Sequence, residues 1–541
     1  MTDFDYDYAI IGSGFGGSVS ALRLSEKGYR VAVIEMGKRW RPQDFAKTTW
    51  DLRRYFWKPS WGLHGIFQMT LLRDVFFLHG AGVGGGSLVY ANTLIHPPAA
   101  AFQDPRWVGM DWQKTLQPFY ALAKRMLGAV ESPFIVETDQ ILKDVADELG
   151  RGHTFHRHTV GVYFGEAGVK APDPFFGGEG PERTGCVRCG GCMVGCRYEA
   201  KNTLDKNYLY LAEKRGAEVI PETKVGDIRP LEGGGYELTM DRSIGSRQRR
   251  TLRVKGVVVS AGSFGTVELL MRCKENGSLP KISEQLGNYV RTNSEALLAV
   301  RSRRNDVDYS RGIAITSGAY VDDNTHIEIV RYPAGSDSMT LLATILTGGE
   351  GSIPRWLRWI GNIVRHPIKF VQVHIPFGWA KRTAILLVMQ PVDNYLRYSM
   401  RRRWYWPFSR KLDTSMVGDR PVPVYIPIAN RIAQIMAKKM NGIAQSGLLE
   451  VLFNKASTAH ILGGCPIGLT PDEGAVDPKS HLFGYDDFYV VDGSIVPANL
   501  GVNPSLTITA MAEHAMSHVP PKPGAAQKPV RLPEVEALQV P

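Results

Sequence analysis

The sequence predicts an α/β fold that begins with a Rossmann-type unit, and three observations near its start support this. A short apolar run of strand type, residues 7–11, opens directly into the turn Gly12-Ser13-Gly14-Phe15-Gly16-Gly17. A helix-like stretch follows, and a second apolar strand, residues 31–34, ends on Glu35. Glycines at such a turn let the backbone approach a pyrophosphate, and an acid about 20 residues further on can hold a ribose hydroxyl. The predicted dinucleotide-binding residues are therefore Gly12, Gly14, Phe15, Gly16, Gly17 and Glu35.

Composition is that of a globular protein with two or three domain-sized units. The chain has 541 residues, of which 44% are hydrophobic and 22% charged. It contains no uncharged apolar run of about 18 residues, so no membrane-spanning helix is predicted. The first seven residues are acidic where a signal peptide would be basic. We therefore expect a cytoplasmic protein, or one exported without a classical signal.

Four further blocks lie along the chain in a fixed order. They are Gly80-Ala81-Gly82-Val83-Gly84-Gly85-Gly86-Ser87-Leu88-Val89, Val258-Val259-Ser260-Ala261-Gly262-Ser263, His460-Ile461-Leu462-Gly463-Gly464-Cys465, and Val490-Val491-Asp492-Gly493-Ser494 with Val502-Asn503-Pro504-Ser505. With the first turn, they resemble the GMC (glucose–methanol–choline) family of flavin oxidoreductases. Within that family the chain resembles the cholesterol-oxidase-like branch of mycobacteria and other actinobacteria. The resemblance runs from about residue 7 to about residue 518.

The resemblance implies FAD as the cofactor and a discontinuous domain that binds it. Residues 1–110, 185–300 and 455–518 are expected to form the Rossmann-type FAD-binding domain. Residues 111–184 and 301–454 are then expected to form an α+β substrate domain around an antiparallel sheet. The proline-rich stretch 519–541 is expected to be a disordered tail.

Local patterns predict parts of the substrate domain. Residues 326–332 alternate like a half-buried strand, and residues 339–346 form an apolar run. The two are predicted to pair as a hairpin across residues 333–338. Helical spacing of apolar residues predicts a helix over residues 429–441.

The resemblance also implies which residues act on the substrate. His460 is expected to orient a hydroxyl group and act in proton transfer, and Asn503 to donate a hydrogen bond to the substrate oxygen or the flavin edge. Cholesterol oxidases carry a further base, a glutamate after a Pro-Ala-Gly turn, and Asp337 occupies that position here. In the family this carboxylate moves the proton that shifts a Δ5 double bond to Δ4. Because aspartate is shorter, the isomerisation is less firmly predicted than the oxidation.

The remaining FAD contacts follow from the same resemblance. The segment Tyr90-Ala91-Asn92 departs from the Val-Asn-Gly-Gly pattern of the short-chain enzymes and matches the longer branch. The expected contacts are Gly86, Tyr90, Asn92, Thr93, Val225, Asp492, Gly493 and Ser505.

Four of the six cysteines form a closely spaced quartet, Cys186-x2-Cys189-x2-Cys192-x3-Cys196. This is the spacing of bacterial ferredoxin-type cluster loops, with Arg197 where those usually have proline. The same cysteines could bind zinc, pair as disulfides in an exported protein, or remain free. An iron–sulfur cluster beside FAD is therefore a candidate second cofactor, with zinc as the alternative.

The positive charge of the chain is concentrated in one segment. Between Ser352 and Lys411, 12 Lys or Arg residues stand against one acid, so this segment carries the formal +11 of the whole chain. Basic side chains with interfacial aromatics on an amphipathic helix suit a membrane surface. A solvated lid with its tryptophans packed on the core is the alternative, and no nucleic-acid-binding signature accompanies the charge. The tryptophans of this segment are Trp356, Trp359, Trp379, Trp404 and Trp406.

The resemblance implies FAD-dependent oxidation of a sterol or similarly bulky lipid alcohol to the ketone, with O2 or a quinone as electron acceptor. One alternative is a membrane-associated FAD and iron–sulfur dehydrogenase that takes long-chain or other alcohols and passes electrons to quinone. Another is a non-catalytic flavin protein that binds lipid or carries electrons. The pairing of His460 with Asn503 argues against this last alternative.

Overall fold

The structure, a computed structural model, describes residues 4–403, 406–418 and 421–532. In these ranges the protein has two seven-stranded sheets with a large cavity between them. The predicted α/β class with a Rossmann-like unit is confirmed.

The first sheet, which we call the parallel sheet, contains the strand that precedes the glycine-rich turn. Tyr6–Ile11 lies between Val31–Ile34 and Arg249–Val259, parallel to both. Val31–Ile34 is buried throughout, and the other two strands are buried from Asp7 and from Gly256 to their C-terminal ends. The other parallel members are Glu218–Ile220 and Phe488–Val490, and the antiparallel extension is Tyr236–Arg242 and Thr223–Pro230.

Helices that pack on the parallel sheet bring the two ends of the chain together. Phe15–Glu26, which begins at the glycine-rich turn, packs against Ser505–Ser517 and Tyr208–Lys214. Both Phe15–Glu26 and Ser505–Ser517 are buried along most of their length. The other helices on this side are Trp112–Thr115, Gln117–Met126 and Gly262–Glu275.

The second sheet, the antiparallel sheet, supplies one wall of the cavity. One face, which includes Leu298 and Ile327, packs against the helices Glu137–Glu148 and Pro427–Lys439. Because side chains alternate along a strand, the neighbouring residues point to the cavity. The strands, in spatial order, are Ala343–Ile345, Gly442–Gly447, Ala296–Ser302, Thr383–Met389, His326–Val330, Ser317–Tyr320 and His156–Arg157.

The predicted helix over 429–441 is present as Pro427–Lys439, but the predicted hairpin is wrong. His326–Val330 pairs with Ser317–Tyr320 and Thr383–Met389, whereas Ala343–Ile345 pairs with Gly442–Gly447. Residues 337–342, which include the end of the predicted turn and the start of the predicted apolar run, form a 3-10 helix instead. Ser317–Tyr320 is close to His326–Val330 in sequence. The other pairings, with Thr383–Met389 and Gly442–Gly447, join distant segments, so local alternation could not identify them.

Smaller elements complete the described structure. The helices are Leu52–Tyr55, Arg355–Arg365, Pro367–His374, Trp379–Arg382 and Leu448–Phe453. The strands are Trp57–Lys58, Leu63–His64, Phe67–Leu71, Val75–Gly80, Val130–Glu131, Thr159–Val160, Lys170–Ala171, Arg183–Thr184, Leu396–Arg403, Trp406–Met416 and Ala456–Thr458. No helix within the described ranges is long and apolar enough to cross a bilayer.

Two stretches pack differently from the expected domain organisation. Trp112 and Leu396, both assigned to the substrate domain, contribute to the core of the parallel sheet. The tail, for which disorder is predicted, lies against the first helix as far as Leu532. The Lys522 and Lys528 backbone N–H groups donate to carbonyl groups at the C-terminal end of that helix. Residues 533–541 lie outside the described residues.

The basic segment 352–411 does not form a single surface unit. Its strand Thr383–Met389 is central to the antiparallel sheet, and Trp379 is buried. Trp359 is half-buried against Val373, whereas Trp356 is exposed. Trp404 lies outside the described residues, and the side chain of Trp406 is also outside the description.

Candidate active site

A cavity of about 500 Å³ lies between the two sheets. It has a glycine-rich end on the parallel sheet and an apolar end on the antiparallel sheet. Most of the predicted FAD contacts line it, although they come from segments hundreds of residues apart. They are Gly12, Gly14, Phe15, Gly16, Glu35, Gly86, Tyr90, Thr93, Val225, Asp492, Gly493 and Ser505.

The first glycine-rich turn packs closely against neighbouring backbone on one side and borders the cavity on the other. At Gly16 a Cβ would lie 1.7 Å from the Val491 carbonyl oxygen, and Gly12 has a φ of +101°. At Gly14 and Gly86, in contrast, a Cβ would meet no atom within 4 Å, so these two positions border open cavity. The helix that starts at Phe15 directs its N-terminus to the same space. This is a cradle that fits the pyrophosphate of a dinucleotide.

Glu35 ties the two glycine-rich loops together at the edge of this cradle. Its carboxylate accepts hydrogen bonds from the Ser13 N–H at 3.1 Å, the Gly37 N–H at 2.8 Å and the Gly82 N–H at 3.3 Å. Burial raises the pKa of Glu35 above its ordinary value, although these hydrogen bonds oppose the effect. Glu35 also lines the cavity, where a ribose hydroxyl would reach it.

Gly17 and Asn92 are the predicted contacts that do not line this cavity. A Cβ at Gly17 would lie 2.0 Å from the Gly12 carbonyl oxygen, so this glycine allows the helix to approach the turn. The Asn92 side chain is buried beside Cys192 instead. The sequence placed Gly17 and Asn92 in the right loops but could not tell which way each position faces.

His460 stands where the glycine-rich end of the cavity meets the apolar end. Its Nδ1 is in contact with Glu295 Oε1, and this carboxylate also accepts a hydrogen bond from the Ala459 N–H at 2.8 Å. Burial alone would lower the pKa of His460, but the nearby carboxylates of Glu295 and Glu328 raise it above its ordinary value. The contact with Glu295 holds a proton on Nδ1 and leaves Nε2 as the atom available to a substrate.

Asn503 links His460 to a second buried carboxylate. Its Nδ2 donates to Glu328 Oε2 at 3.2 Å and lies 3.4 Å from His460 Nε2. Asn503 Oδ1 has no hydrogen-bond partner among the described residues. Because a carboxylate only accepts, the contact with Glu328 fixes the nitrogen of the amide toward it. Burial raises the pKa of Glu328.

Three histidines lie behind Glu328, away from the cavity. His158 Nε2 is 3.2 Å from Glu328 Oε1, and one ring nitrogen from each of His156, His158 and His326 lies within 4.8 Å of the others. Burial lowers the pKa of His326 to about 3, so this ring is neutral near neutral pH. Burial also lowers the pKa of His158 well below its ordinary value, so His158 and His326 support Glu328 as uncharged rings.

The apolar end of the cavity is built mainly by the antiparallel sheet. The side chains share an aliphatic or aromatic character and come from at least three of its strands and the adjoining loops. They are Leu297, Ile315, Val330, Tyr332, Met339, Leu342, Trp379, Ile385 and Leu387. Such a lining binds a large apolar ligand and leaves the polar groups at His460 and Asn503 to fix its orientation.

The structure does not bring Asp337 to this cavity. Its two carboxylate oxygens accept hydrogen bonds from the Gly378 N–H at 3.1 Å and the Ala380 N–H at 2.8 Å. These are backbone contacts that join the 3-10 helix Asp337–Leu342 to the helix Trp379–Arg382. The carboxylate nearest to the Asn503 amide is instead that of Glu328.

Sequence reasoning missed Glu295 and Glu328, the two carboxylates of the site. Glu328 alternates with Ile327 and Ile329, a pattern interpreted as a half-buried strand with a solvated polar face. All three are fully buried, and the polar face is the one that carries the site. Glu328 follows His326 by two positions, which places both on one face of the strand, and this signal could have identified the buried polar face.

The dinucleotide cradle and the His460–Asn503 pair at an apolar cavity together define an FAD-dependent oxidoreductase acting on alcohols. The chain belongs to the GMC oxidoreductase family, and the predicted membership is confirmed. The family's N-terminal and C-terminal models match residues 181–286 and 432–512. A model of an NAD(P)-binding Rossmann-like domain matches residues 10–41.

Relatives in this family match nearly the whole chain. A cholesterol oxidase of Acinetobacter baumannii is 48% identical, and the match covers 96% of each chain. A cholesterol oxidase of Mycobacterium tuberculosis is 46% identical over 97% of this chain and 93% of that protein. A long-chain-alcohol oxidase of Arabidopsis thaliana is 23% identical over 94% of this chain and 65% of that protein.

A solved structure shares the fold. Pyridoxine 4-oxidase from Mesorbium loti superimposes with a TM-score of 0.61, covering 94% of this chain and 98% of that one. The two sequences are 15% identical, so this likeness concerns the architecture alone.

Proposed function

We propose that the protein oxidises the 3β-hydroxyl group of a sterol, or the hydroxyl of a similarly bulky lipid alcohol, to a ketone. The observation that carries this proposal is the position of His460 and Asn503 between a dinucleotide cradle and an extended apolar lining. The names of the two relatives at 46% and 48% identity support a sterol as the substrate and O2 as the electron acceptor.

In the proposed reaction each polar group has one task. His460 Nε2 accepts the hydroxyl proton while Glu295 holds the opposite ring nitrogen. The Asn503 amide donates to the substrate oxygen, on which negative charge develops, and Glu328 fixes that amide. FAD held in the cradle would supply the hydride acceptor for the carbinol carbon. The apolar lining excludes water from the reacting atoms.

The oxidation is proposed to stop at the Δ5 ketone. Both oxygens of Asp337 are already engaged by backbone N–H groups, and no contact joins Asp337 to His460 or Asn503 among the described residues. Glu328 lies behind the Asn503 amide rather than at the cavity wall. A carboxylate free to carry the proton of the isomerisation is therefore lacking from the described lining near Asn503. A conjugated Δ4 ketone as the main product would contradict this.

A lipid substrate reaches the cavity from a membrane, and one surface is suited to docking there. The helices Arg355–Arg365 and Pro367–His374, with the residues that flank them, expose apolar side chains that no other described part of the chain covers. They are Ile353, Trp356, Leu357, Ile360, Val364, Ile368, Val371, Ile375 and Phe377. Exposed Arg365 and Lys369 lie among them and would meet anionic headgroups. These helices pack on Ala343–Ile345, whose first residue lines the cavity.

The test is anaerobic reduction of the bound flavin by candidate alcohols. Cholesterol in detergent or vesicles should bleach the flavin, and straight-chain primary alcohols should do so much more slowly. The remote resemblance to a long-chain-alcohol oxidase makes the latter the appropriate comparison. Faster reduction by the primary alcohols would contradict the sterol proposal and favour a long-chain alcohol as the substrate. No reduction by any alcohol would favour a flavin protein that only binds lipid.

A further inference from the structure

The four closely spaced cysteines surround a single small cavity. Cys186, Cys189, Cys192 and Cys196 all line it, and all six cysteines of the chain are free thiols. In ferredoxins with this spacing the fourth cysteine ligates a second cluster, whereas here all four face the same space. The loop reaches this shape through Gly190, which has a φ of +69° and whose Cβ would lie 2.1 Å from the Ser310 carbonyl oxygen.

Backbone N–H groups approach the sulfurs from the surrounding loops. The Arg188 N–H donates to Cys186 Sγ and the Lys201 N–H to Cys196 Sγ, each at 3.4 Å. The N–H of Gly191 is directed at Cys189 and that of Ala314 at Cys192. Hydrogen bonds to the sulfurs are among the features by which a protein tunes a bound iron–sulfur cluster.

A buried arginine and a buried lysine lie beside the quartet, and the charge of the arginine calls for an anionic partner. Lys201 Nζ donates to the carbonyl oxygens of Cys192 at 2.7 Å and Leu88 at 3.1 Å. The Arg183 guanidinium likewise donates to backbone and amide oxygens. Both side chains are about 1% exposed, and neither has a carboxylate within 4.0 Å in the described ranges. A buried cation without a counter-charge is costly, and an anionic cluster held by thiolates would supply one.

The spread of the sulfurs distinguishes a cluster from a single zinc ion. With Zn–S bonds of about 2.3 Å, tetrahedral geometry brings the sulfurs to about 3.8 Å from one another. Among the described residues, no three cysteine sulfurs all lie within 4.8 Å of one another. The group of ligand atoms that does lie this close together is that of His156, His158 and His326. A cubane cluster has iron at four corners, so its ligand sulfurs stand farther apart.

The quartet also borders the cavity proposed to hold FAD. Met193 lines that cavity and follows Cys192 directly in the chain. Tyr90 and Ala91 line it too, while the next residue, Asn92, turns its side chain to Cys192. Lys201 Nζ lies 4.7 Å from the centre of the Tyr90 ring. The two cavities are thus separated by about one layer of residues.

We propose that Cys186, Cys189, Cys192 and Cys196 hold one [4Fe–4S] cluster that takes electrons from the flavin. This rests on the proposed function only for the source of the electrons. Each alcohol oxidised leaves two electrons on the flavin; where O2 does not take them directly, they pass singly through the cluster to two equivalents of a one-electron acceptor. The two protons released go to solvent. Exposed Arg188 and Arg197 flank the quartet, so the acceptor binding there would be anionic.

The primary test is a determination of metal content in the full-length holoenzyme purified without oxygen. The proposal predicts about four iron and four acid-labile sulfide per chain. Cys189→Ala should lose both. The matched control Cys273→Ala, which changes a buried thiol in the helix Gly262–Glu275, should keep them. Zinc in place of iron, or no metal in the wild-type protein, would overturn the proposal. Because the iron and sulfide of the wild-type chain decide the outcome, poor folding of the variant does not affect it.

Electron transfer is tested separately from cluster binding. Dithionite should give the electron paramagnetic resonance signal of a reduced cluster, and anaerobic cholesterol should give the same signal after it bleaches the flavin. A flavin bleached by cholesterol beside a cluster that stays oxidised would overturn the electron-transfer step. If cholesterol bleaches neither group while dithionite reduces the cluster, the sterol proposal fails and the cluster assignment is retained. With ferricyanide as acceptor, Cys189→Ala should turn over on the order of tenfold more slowly than Cys273→Ala.

Discussion

At the scale of single residues, the proposed reaction depends on two side chains, those of His460 and Asn503. We predict that His460→Ala and Asn503→Ala each lower the rate of alcohol oxidation by about 100-fold, because each removes a group that handles charge developing on the oxygen. Steady-state turnover with cholesterol measures this, and the flavin spectrum verifies that FAD is retained. A variant with normal turnover would show that the missing side chain has no part in the reaction.

Glu295 acts through His460, and its effect should be seen in the pH dependence. Glu295 and Glu328 hold the pKa of His460 above its ordinary value of about 6.5. Only the neutral ring accepts a proton, so kcat/KM should rise as the pH increases through this raised pKa. Glu295→Gln removes one of the charges and should move the acidic limb of the profile to lower pH. An unmoved limb with merely lower rates would indicate a structural role alone.

The same pair contributes to stability in a defined pH range. A raised folded-state pKa means that protonated His460 is favoured by folding, so the contribution is present below about pH 6.5 and is lost as the pH rises through the raised pKa. The loss of unfolding free energy in Glu295→Gln should therefore be larger at acidic than at alkaline pH. Denaturant unfolding at both ends of this range measures the difference.

Glu35 is expected to stabilise the cofactor cradle and not to contact the substrate. We predict that Glu35→Ala loses FAD on gel filtration, because the Ser13, Gly37 and Gly82 N–H groups lose their common acceptor along with the ribose partner. Glu35→Gln keeps the length of the side chain and should retain more FAD. Full retention by the alanine variant would contradict the assignment of Glu35 to the cofactor.

At the scale of elements, the helices over residues 355–374 should determine membrane binding. Changing Trp356, Ile360 and Val364 to Ser removes apolar side chains that are 46%, 44% and 76% exposed, so the fold should be unaffected. Binding to anionic vesicles should fall on the order of tenfold, and binding by the wild-type protein should weaken with salt. The matched control changes Ile135, Val169 and Leu469, which are 41%, 46% and 60% exposed elsewhere on the surface. Equal partitioning of the two triple variants would refute this docking surface.

At the scale of the whole molecule, the sequence was most informative where function depends on local backbone geometry. Gly12, Gly14 and Gly16 could be assigned because a pyrophosphate turn needs glycine at fixed spacing within one strand–turn–helix unit. Contacts between distant segments were not accessible in this way. The pairing of His326–Val330 with Thr383–Met389 depends on the packing of chain segments that are far apart in sequence, and so does the contact between Glu295 and His460. Asp337 was assigned by position in a motif, but its side chain serves two backbone N–H groups.

One buried ion pair joins the two ends of the chain, and the whole fold should depend on it. Arg23 donates to Glu513 at 2.7 and 2.8 Å, and the Tyr208 hydroxyl donates to the same carboxylate at 2.6 Å. The helices concerned begin at the glycine-rich turn and just after Asn503, so this contact sets the cradle and the catalytic side chain relative to each other. We predict that Arg23→Met lowers the free energy of unfolding by roughly 3–5 kcal/mol, because it leaves a buried carboxylate without its cation.

The matched control for Arg23→Met is Arg39→Met, which breaks the half-exposed pair with Glu213 and should cost about 0–1 kcal/mol. Denaturant unfolding of the apoprotein compares the two variants. A ligand that binds only the folded state adds stability that grows with the logarithm of its concentration above Kd. Excess FAD should therefore recover part of the loss in Arg23→Met if its cradle still assembles. Equal unfolding free energies for the two variants would show that the ends of the chain are held together mainly by the apolar contacts between their helices.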